Sequence, residues 1–179
     1  MSHDTKHPKL IQLTHWLSAI LILGLFILGI WMVELSYYDP WYQRAPNIHK
    51  GLGVLLAIIM LARLLVKVVQ TSPKPLENIA AWQNKLAGLT HILMYLCTFI
   101  ILISGYLIST ASGKAINVFD MFSVPAVLSY GNEQADTAGL IHQYTAYVLI
   151  GLVVLHILAF IQHQFILKDE IIKRITPIK

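Results

Sequence analysis

Four long runs of apolar residues are the feature that most constrains the fold of this 179-residue chain. They extend over residues 13–33, 52–69, 86–108 and 140–167. A run of about 18 or more apolar residues is long enough to cross the hydrocarbon core of a bilayer as a helix. Because 56% of the residues are hydrophobic and only 12% charged, the chain carries more apolar surface than a soluble domain of this size can bury. We therefore predict an all-α membrane protein, a bundle of four transmembrane helices.

The four runs fill most of the chain, and no linker, internal repeat or low-complexity tract separates them. We therefore predict a single transmembrane domain over residues 1–179. The first run follows Lys6 and Lys9 as the apolar part of a secretory signal would. However, it is longer than the roughly 7–15 residues of such a part and lacks a convincing cleavage site. We interpret it as a retained helix.

The distribution of Lys and Arg predicts the orientation, because basic residues favour the cytoplasmic side of a membrane. With both termini cytoplasmic, ten of the thirteen basic residues lie inside, and Arg44, Lys50 and Lys114 lie outside. The inner ten are Lys6, Lys9, Arg63, Lys67, Lys74, Lys85, Lys168, Lys173, Arg174 and Lys179. The net charge of +4 is thus a signal of topology, and it gives no support for nucleic-acid binding.

Six histidines lie in the apolar runs or in the turns that open them. They are His15, His49, His91, His142, His156 and His163. Ionisable side chains at membrane depth are costly, face the interior of a bundle and often mark functional sites. For any one of these histidines taken alone, an interhelical hydrogen bond is the simpler interpretation.

Four of the histidines form two pairs that are matched in depth. His142 and His156 are 14 residues apart, which places them on one helix face, about 40° short of four full turns and about 21 Å apart along the axis. In the alternating topology, His49 enters the second helix from outside at the depth of His142. His15 lies near the inner end of the first helix, as His156 does on the fourth. We therefore predict an outer pair, His49 with His142, and an inner pair, His15 with His156.

A planar macrocycle held between two helices by axial imidazoles suits each pair. Two imidazoles are too few for a tetrahedral zinc site. The single cysteine, Cys97, and the lack of a C-x-x-C-H sequence argue against covalent c-type attachment. We therefore predict two haem b groups with these four histidines as axial ligands of the iron. Two axial histidines leave no open coordination position, which favours electron transfer over oxygen binding.

Three further polar residues each have two interpretations. Arg63 follows His49 by 14 residues, so it lies on the same face at the depth of the inner haem. It could pair with a haem propionate, or Arg63 and Lys67 could both extend to the cytoplasmic headgroups. His91 and His163, at the inner side, are candidates for contact with a quinone or a propionate. A plain interfacial histidine is the simpler interpretation of each.

Several stretches resemble the bacterial di-haem cytochrome b561 family: residues 14–18 (THWLS), "WMVELSYYDPWYQRAPNIHKGLG", "HILMYL", "SGYLISTASGKAINVFDMFSVPA" and "HQFILKD". The resemblance runs nearly end to end. It implies a four-helix fold, two non-covalent haem b groups, contact with the ubiquinone pool and a multi-pass location in the bacterial inner membrane. The family's axial ligands fall on His15, His49, His142 and His156. Some relatives oxidise periplasmic superoxide and reduce ubiquinone, and others are membrane subunits or partners of larger redox systems.

The outer loops limit what this resemblance implies about substrate. These loops contain three basic and five acidic residues, which gives a net charge of −2. The acidic residues are Glu34, Asp39, Asp120, Glu133 and Asp136. Because superoxide is an anion, a positive surface would steer it better, although Arg44 and Lys50 flank His49.

The outer loops also carry two apolar features. The run "INVFDMFSVPAVL" predicts an interfacial helix that caps the outer haem. An aromatic group could anchor the protein in the interface or contact a redox partner or quinone. Its members are Trp31, Tyr37, Tyr38, Trp41 and Tyr42.

Three functional hypotheses follow. The first is an electron conduit between a periplasmic redox partner and ubiquinone, through the outer and then the inner haem, with superoxide oxidation as an alternative use of it. The second is a membrane cytochrome subunit of a larger dehydrogenase. The third is a haem-free transporter whose histidines relay protons. Whether the chain is itself an oxidoreductase, with superoxide or another quinone-linked substrate, is left open.

Overall fold

The computed structural model describes residues 8–69 and 80–168 of the chain. Within these residues four helices are long and apolar enough to cross a membrane, which confirms the predicted fold class. They are α1 (Lys9–Val33), α2 (Arg44–Val69), α3 (Ala81–Thr110) and α4 (Asn132–Ile161), and a π-helical segment, Gln162–Leu167, continues α4. Lys6, Lys74, Lys173, Arg174 and Lys179, five of the basic residues used to predict the orientation, lie outside the described residues.

Each helix begins four to eight residues before the apolar run that predicted it. Helix α2 begins at Arg44, so its opening turns include Asn47 and His49. Helix α4 begins at Asn132, and Glu133 in its first turn interacts favourably with the positive end of the helix dipole. The apolar runs mark the hydrocarbon core, whereas the helices continue into the polar interface of the bilayer.

The helices pack as two antiparallel hairpins, since α1 contacts α2 and α3 contacts α4 far more extensively than the other helices contact one another. A core of Leu25, Leu56 and Met60 fills the space between α1 and α2, and side chains of α3 pack against it. Many large apolar side chains face outward: Ile20 is 66% exposed and Leu65 67%. Small polar side chains are buried instead, as is usual where lipid rather than water is the solvent.

The outer end of the bundle carries an antiparallel β-hairpin where an interfacial helix was expected. Strands β1 (Ile116–Val118) and β2 (Phe122–Val124) pair with Val118 opposite Phe122. The prediction of an interfacial helix was wrong because the polar residues of this run form a turn. The side chain of Asn117 accepts a hydrogen bond from the backbone N–H of Asp120 at 2.9 Å, and Asp120 has a positive φ of 58°.

The hairpin rests on α2 through a contact that requires a glycine. The ring of Phe119, at the tip of the hairpin, lies so close to Gly51 that a Cβ at position 51 would be 2.8 Å from its Cζ. Val118 beside it is fully buried. The hairpin therefore covers α2 two residues beyond His49.

We expect Gly51→Ala to displace the ring of Phe119, because overpacking costs about 1–3 kcal/mol and this half-exposed ring can swing outward only by leaving α2. Hydrogen exchange measured by mass spectrometry should become faster over residues 116–124 and remain unchanged in the helices. The matched control is Gly53→Ala, since a Cβ at position 53 meets nothing within 4 Å. Equal exchange in the two variants would contradict the proposed seat of the hairpin.

Candidate functional site at the outer end of the bundle

Two histidines from different hairpins face each other near the outer end. The imidazole rings of His49, on α2, and His142, on α4, have centroids 6.2 Å apart and planes inclined by 67°. Both side chains are half-buried. The structure thus brings together the two residues that were predicted to lie at one depth.

Each imidazole packs against a glycine of the partner helix in its own hairpin. A Cβ at Gly29 of α1 would lie 3.3 Å from Cε1 of His49, and a Cβ at Gly105 of α3 would lie 3.1 Å from Cε1 of His142. Both distances are shorter than an ordinary van der Waals contact between carbon atoms. All four helices therefore shape this site, although only two of them supply its histidines.

The hydrogen-bond partners of His142 define its tautomer. Its Nδ1 lies 3.0 Å from the carbonyl oxygen of Ile101 and 3.2 Å from Oγ of Ser104, both on α3. A carbonyl oxygen can only accept, so Nδ1 of His142 carries the proton. In a neutral imidazole the lone pair is then on Nε2, the arrangement that metal-ligating histidines commonly adopt.

His49 lacks such a partner. Its Nδ1 is buried and has no hydrogen bond to any residue in the described part of the chain. A buried polar nitrogen without a partner is unfavourable by about 1–3 kcal/mol, which makes His49 a candidate functional residue. The donor chemistry of two facing imidazoles and the two glycine surfaces around them fit a bis-histidine haem.

At the inner end, the guanidinium of Arg63 reaches into the bundle. Its two terminal nitrogens lie 3.0 Å from Nδ1 of His15 and 3.1 Å from Oγ of Ser18, and its Cζ lies 5.3 Å from the centroid of the Tyr95 ring. The ammonium of Lys67 lies 4.9 Å from the same centroid. Since Arg63 can only donate, Nδ1 of His15 accepts, and a neutral His15 carries its proton on Nε2.

The structure places the other inner histidines as follows. The ring of His156 has its centroid 5.4 Å from that of His91, on the same hairpin, and His91 is exposed on its other side. His163 lies in the π-helical segment and is half-buried. The pairing of His15 with His156, and the roles of Arg63, His91 and His163 toward a propionate or quinone, stay predictions.

Two other features lie toward the outer end of the bundle. An open groove of about 540 Å³ between α3 and α4 has mostly apolar walls, and Ser104 is among its lining residues. Members of the aromatic group at the first outer loop contact one another. The ring centroids of Trp31 and Trp41 are 5.9 Å apart, and those of Tyr37 and Tyr42 are 5.6 Å apart.

Sequence reasoning missed the residues that support the histidines. Ser104 and the glycines at 29 and 105 look like ordinary members of apolar helices. Glycine within a membrane helix does indicate close approach of another group, so Gly29 and Gly105 carried a signal. No sequence signal identifies the Ile101 carbonyl as an acceptor, because every residue has a main-chain carbonyl.

Comparisons with known proteins bear on this site. The sequence model described as prokaryotic cytochrome b561 matches residues 6–177. "Cytochrome b561 homolog 2" of Escherichia coli (strain K12) is 47% identical over 160 residues, which cover 89% of this chain and 85% of that protein. "Cytochrome b561 homolog 1" of the same organism is 28% identical and covers 91% of this chain and 92% of its own length. "Probable superoxide oxidase CybB" of Yersinia pestis is 26% identical and covers 92% of both.

We expect Gly105→Val to lower the haem content, because its side chain would occupy the surface on which the His142 ring rests. Haem per chain, measured as the pyridine haemochrome, should fall by about one haem. Gly88→Val is the matched control on the same helix, since a Cβ at position 88 meets nothing within 4 Å. The interpretation of Gly105 fails if both variants keep the wild-type haem content.

Proposed function

Because the chain belongs to the prokaryotic cytochrome b561 family, whose members are membrane proteins that transfer electrons through b-type haem, we propose that two bis-histidine haems in this chain connect a periplasmic redox partner with the ubiquinone pool. The observation that carries the proposal is the facing pair His49 and His142, which joins the two helical hairpins. The family places the protein in the bacterial inner membrane, and its four spans make it multi-pass.

At the outer site, His49 and His142 would supply the two axial nitrogens. The contact of Nδ1 of His142 with the Ile101 carbonyl supports ligation through Nε2, and the glycine surfaces keep both rings in place. When bound, such a haem supplies reversible one-electron transfer at an iron with no free coordination position. The protein's part is to exclude water and to hold both rings where little reorganisation is needed.

At the inner site, His15 and His156 are the proposed ligands. Ligation through Nε2 of His15 requires Arg63 to leave Nδ1, since an imidazole that accepts on Nδ1 carries its proton on Nε2. A propionate is a suitable new partner for Arg63, because guanidinium and carboxylate pair through two hydrogen bonds. We retain His91 and His163 as candidates for propionate or quinone contact at this end.

We expect His49→Ala and His142→Ala each to remove one haem and to leave the other in place. Without either imidazole the iron would keep one ligand, and among the described residues no third His, Cys, Asp or Glu groups with this pair. The pyridine haemochrome should show about one haem per chain, and the control Gln143→Ala should keep the wild-type content. Two haems retained in both histidine variants would refute the outer pairing.

We expect His15→Ala and His156→Ala to remove the other haem and, with it, quinone reduction coupled to that haem. His91→Ala should keep both haems if His91 acts only beside His156. If His91→Ala loses a haem and His15→Ala does not, His91 is the ligand opposite His156. Combining one outer and one inner substitution should give protein without haem.

Superoxide oxidation is a second candidate function, since a relative that covers 92% of the chain bears the name of a probable superoxide oxidase. Arg44 is the first residue of α2 and Lys50 directly follows His49, so both add positive charge to this end of the helix. The outer end as a whole carries more acidic than basic residues, and Asp39 and Asp120 are held in loops of that face by hydrogen bonds. This charge distribution does not give the outer face the broad positive potential that would steer an anion toward it.

We therefore expect reduction of the oxidised cytochrome by superoxide to be modest in rate and weakly dependent on salt. Raising the ionic strength from 0.01 to 0.1 M shortens the Debye length from about 30 to about 10 Å, which would strongly slow a steered reaction. Stopped-flow measurements test this, with Arg44→Gln and Lys50→Gln to locate any dependence. A rate near the diffusion limit that falls steeply with salt would make superoxide oxidation the primary function.

The role of a membrane subunit in a larger dehydrogenase uses the same haem sites. It would place a partner protein on the outer loops, where Tyr37 and Tyr38 are 76% and 93% exposed. Purification of the chain in mild detergent, alone or together with another subunit, separates this role from an independent electron conduit. A haem-free proton relay is excluded if the purified chain shows a reduced-minus-oxidised spectrum of haem b.

A further inference from the structure

Helix α3 supplies none of the four proposed haem ligands, yet it makes every described hydrogen bond of His142. Within one helical turn it presents the carbonyl oxygen of Ile101, the hydroxyl of Ser104 and the bare surface of Gly105 to this imidazole. Ser104 is only 3% exposed, although it is a polar residue in a membrane span. A buried hydroxyl at this depth is costly unless its hydrogen bonds are made.

The hydrogen bonds of Ser104 decide what it offers to His142. Its Oγ lies 2.7 Å from the carbonyl oxygen of Ile100 and 3.1 Å from that of Ile101. The hydroxyl has one proton, and the shorter distance assigns it to Ile100. A lone pair of Oγ therefore faces Nδ1 of His142, and the N–H of this imidazole is shared between Ser104 and the Ile101 carbonyl.

The opposite imidazole is supported differently. Nδ1 of His49 has no acceptor in the described structure, and the surface of Gly29 rests against its ring. The two histidines of the outer pair are therefore chemically unequal. Hydrogen bonds fix the Nδ1 proton and the ring plane of His142, whereas the ring of His49 is held by packing.

We propose that Ser104 is a positioning residue that fixes the ring and the Nδ1 proton of His142 and thereby lowers the reduction potential of the outer haem. The inference rests on the proposed function, since it assumes that His142 ligates haem iron. A histidine whose Nδ1–H is hydrogen-bonded is a more basic ligand, and a more basic ligand favours the ferric state. Ser104 would act through His142 without touching the haem iron.

The test is redox titration of the purified holoprotein, followed by the absorbance of the haem bands. Ser104→Ala removes one of the two acceptors, so the midpoint potential of the outer haem should move to a more positive value while that of the inner haem stays unchanged. The outer haem is identified as the one missing from His49→Ala. The low-spin ferric EPR signal of the same haem should also shift, which a general loss of stability would not produce.

Ser109→Ala is the matched control. Ser109 lies on the same helix and donates to the carbonyl oxygen of Gly105 at 2.8 Å, so its removal deletes an equivalent helical hydrogen bond in which the imidazole takes no part. It should leave both potentials unchanged. Ser104→Cys, which retains a weak acceptor of similar size, should shift the outer potential in the same direction by less than Ser104→Ala.

An unchanged outer potential in Ser104→Ala, or a shift of the inner potential instead, overturns the proposal. If Ser104→Ala does not accumulate as folded holoprotein, Ser104→Cys decides, and a wild-type potential in that variant overturns the proposal equally. Failure of the proposed function is distinct, because it appears as the absence of haem from the unsubstituted protein or as two haems retained in His142→Ala.

Discussion

The close approach of the His49 and His142 imidazoles is the interaction on which the rest of the structure depends. It lies between two helical hairpins that otherwise contact each other sparsely, so the candidate site is also the junction of the bundle. Lipid solvates the apolar surface of both hairpins equally well, whether or not they are associated. The free energy that holds them together must therefore come from close packing and from polar groups that have no satisfactory partner in the hydrocarbon.

The distribution of polar residues follows from this constraint. Ser18, Thr98 and Ser104 are buried, while most isoleucine and leucine side chains are at least partly exposed to the bilayer. Many of the buried hydroxyls return a hydrogen bond to the main chain of their own helix, as Thr98 does to the Met94 carbonyl at 2.7 Å. Ser104 and Ser18 also contact residues of other helices, and each of these contacts leads to one of the proposed haem sites.

The sequence predicted the spans well because length and hydropathy are sufficient to identify them. It also predicted that His49 and His142 lie at one depth, since the alternating topology brings the beginnings of the second and fourth helices to the same side of the membrane. It could not predict that both rings rest on glycines, because the rotation of a helix about its axis depends on packing that no single run reveals. The outer hairpin was missed for a local reason: the bonding of Asn117 to Asp120 outweighs an apolar composition that is also compatible with a helix.

The division into two hairpins has a consequence for how the protein is made. Each hairpin can form as it enters the membrane, because its two helices pack mainly against each other. If His49 and His142 ligate one haem as proposed, the seam between the hairpins would remain weakly held until that haem is bound. Haem insertion would then be the closing step of assembly, joining two hairpins that each form on their own.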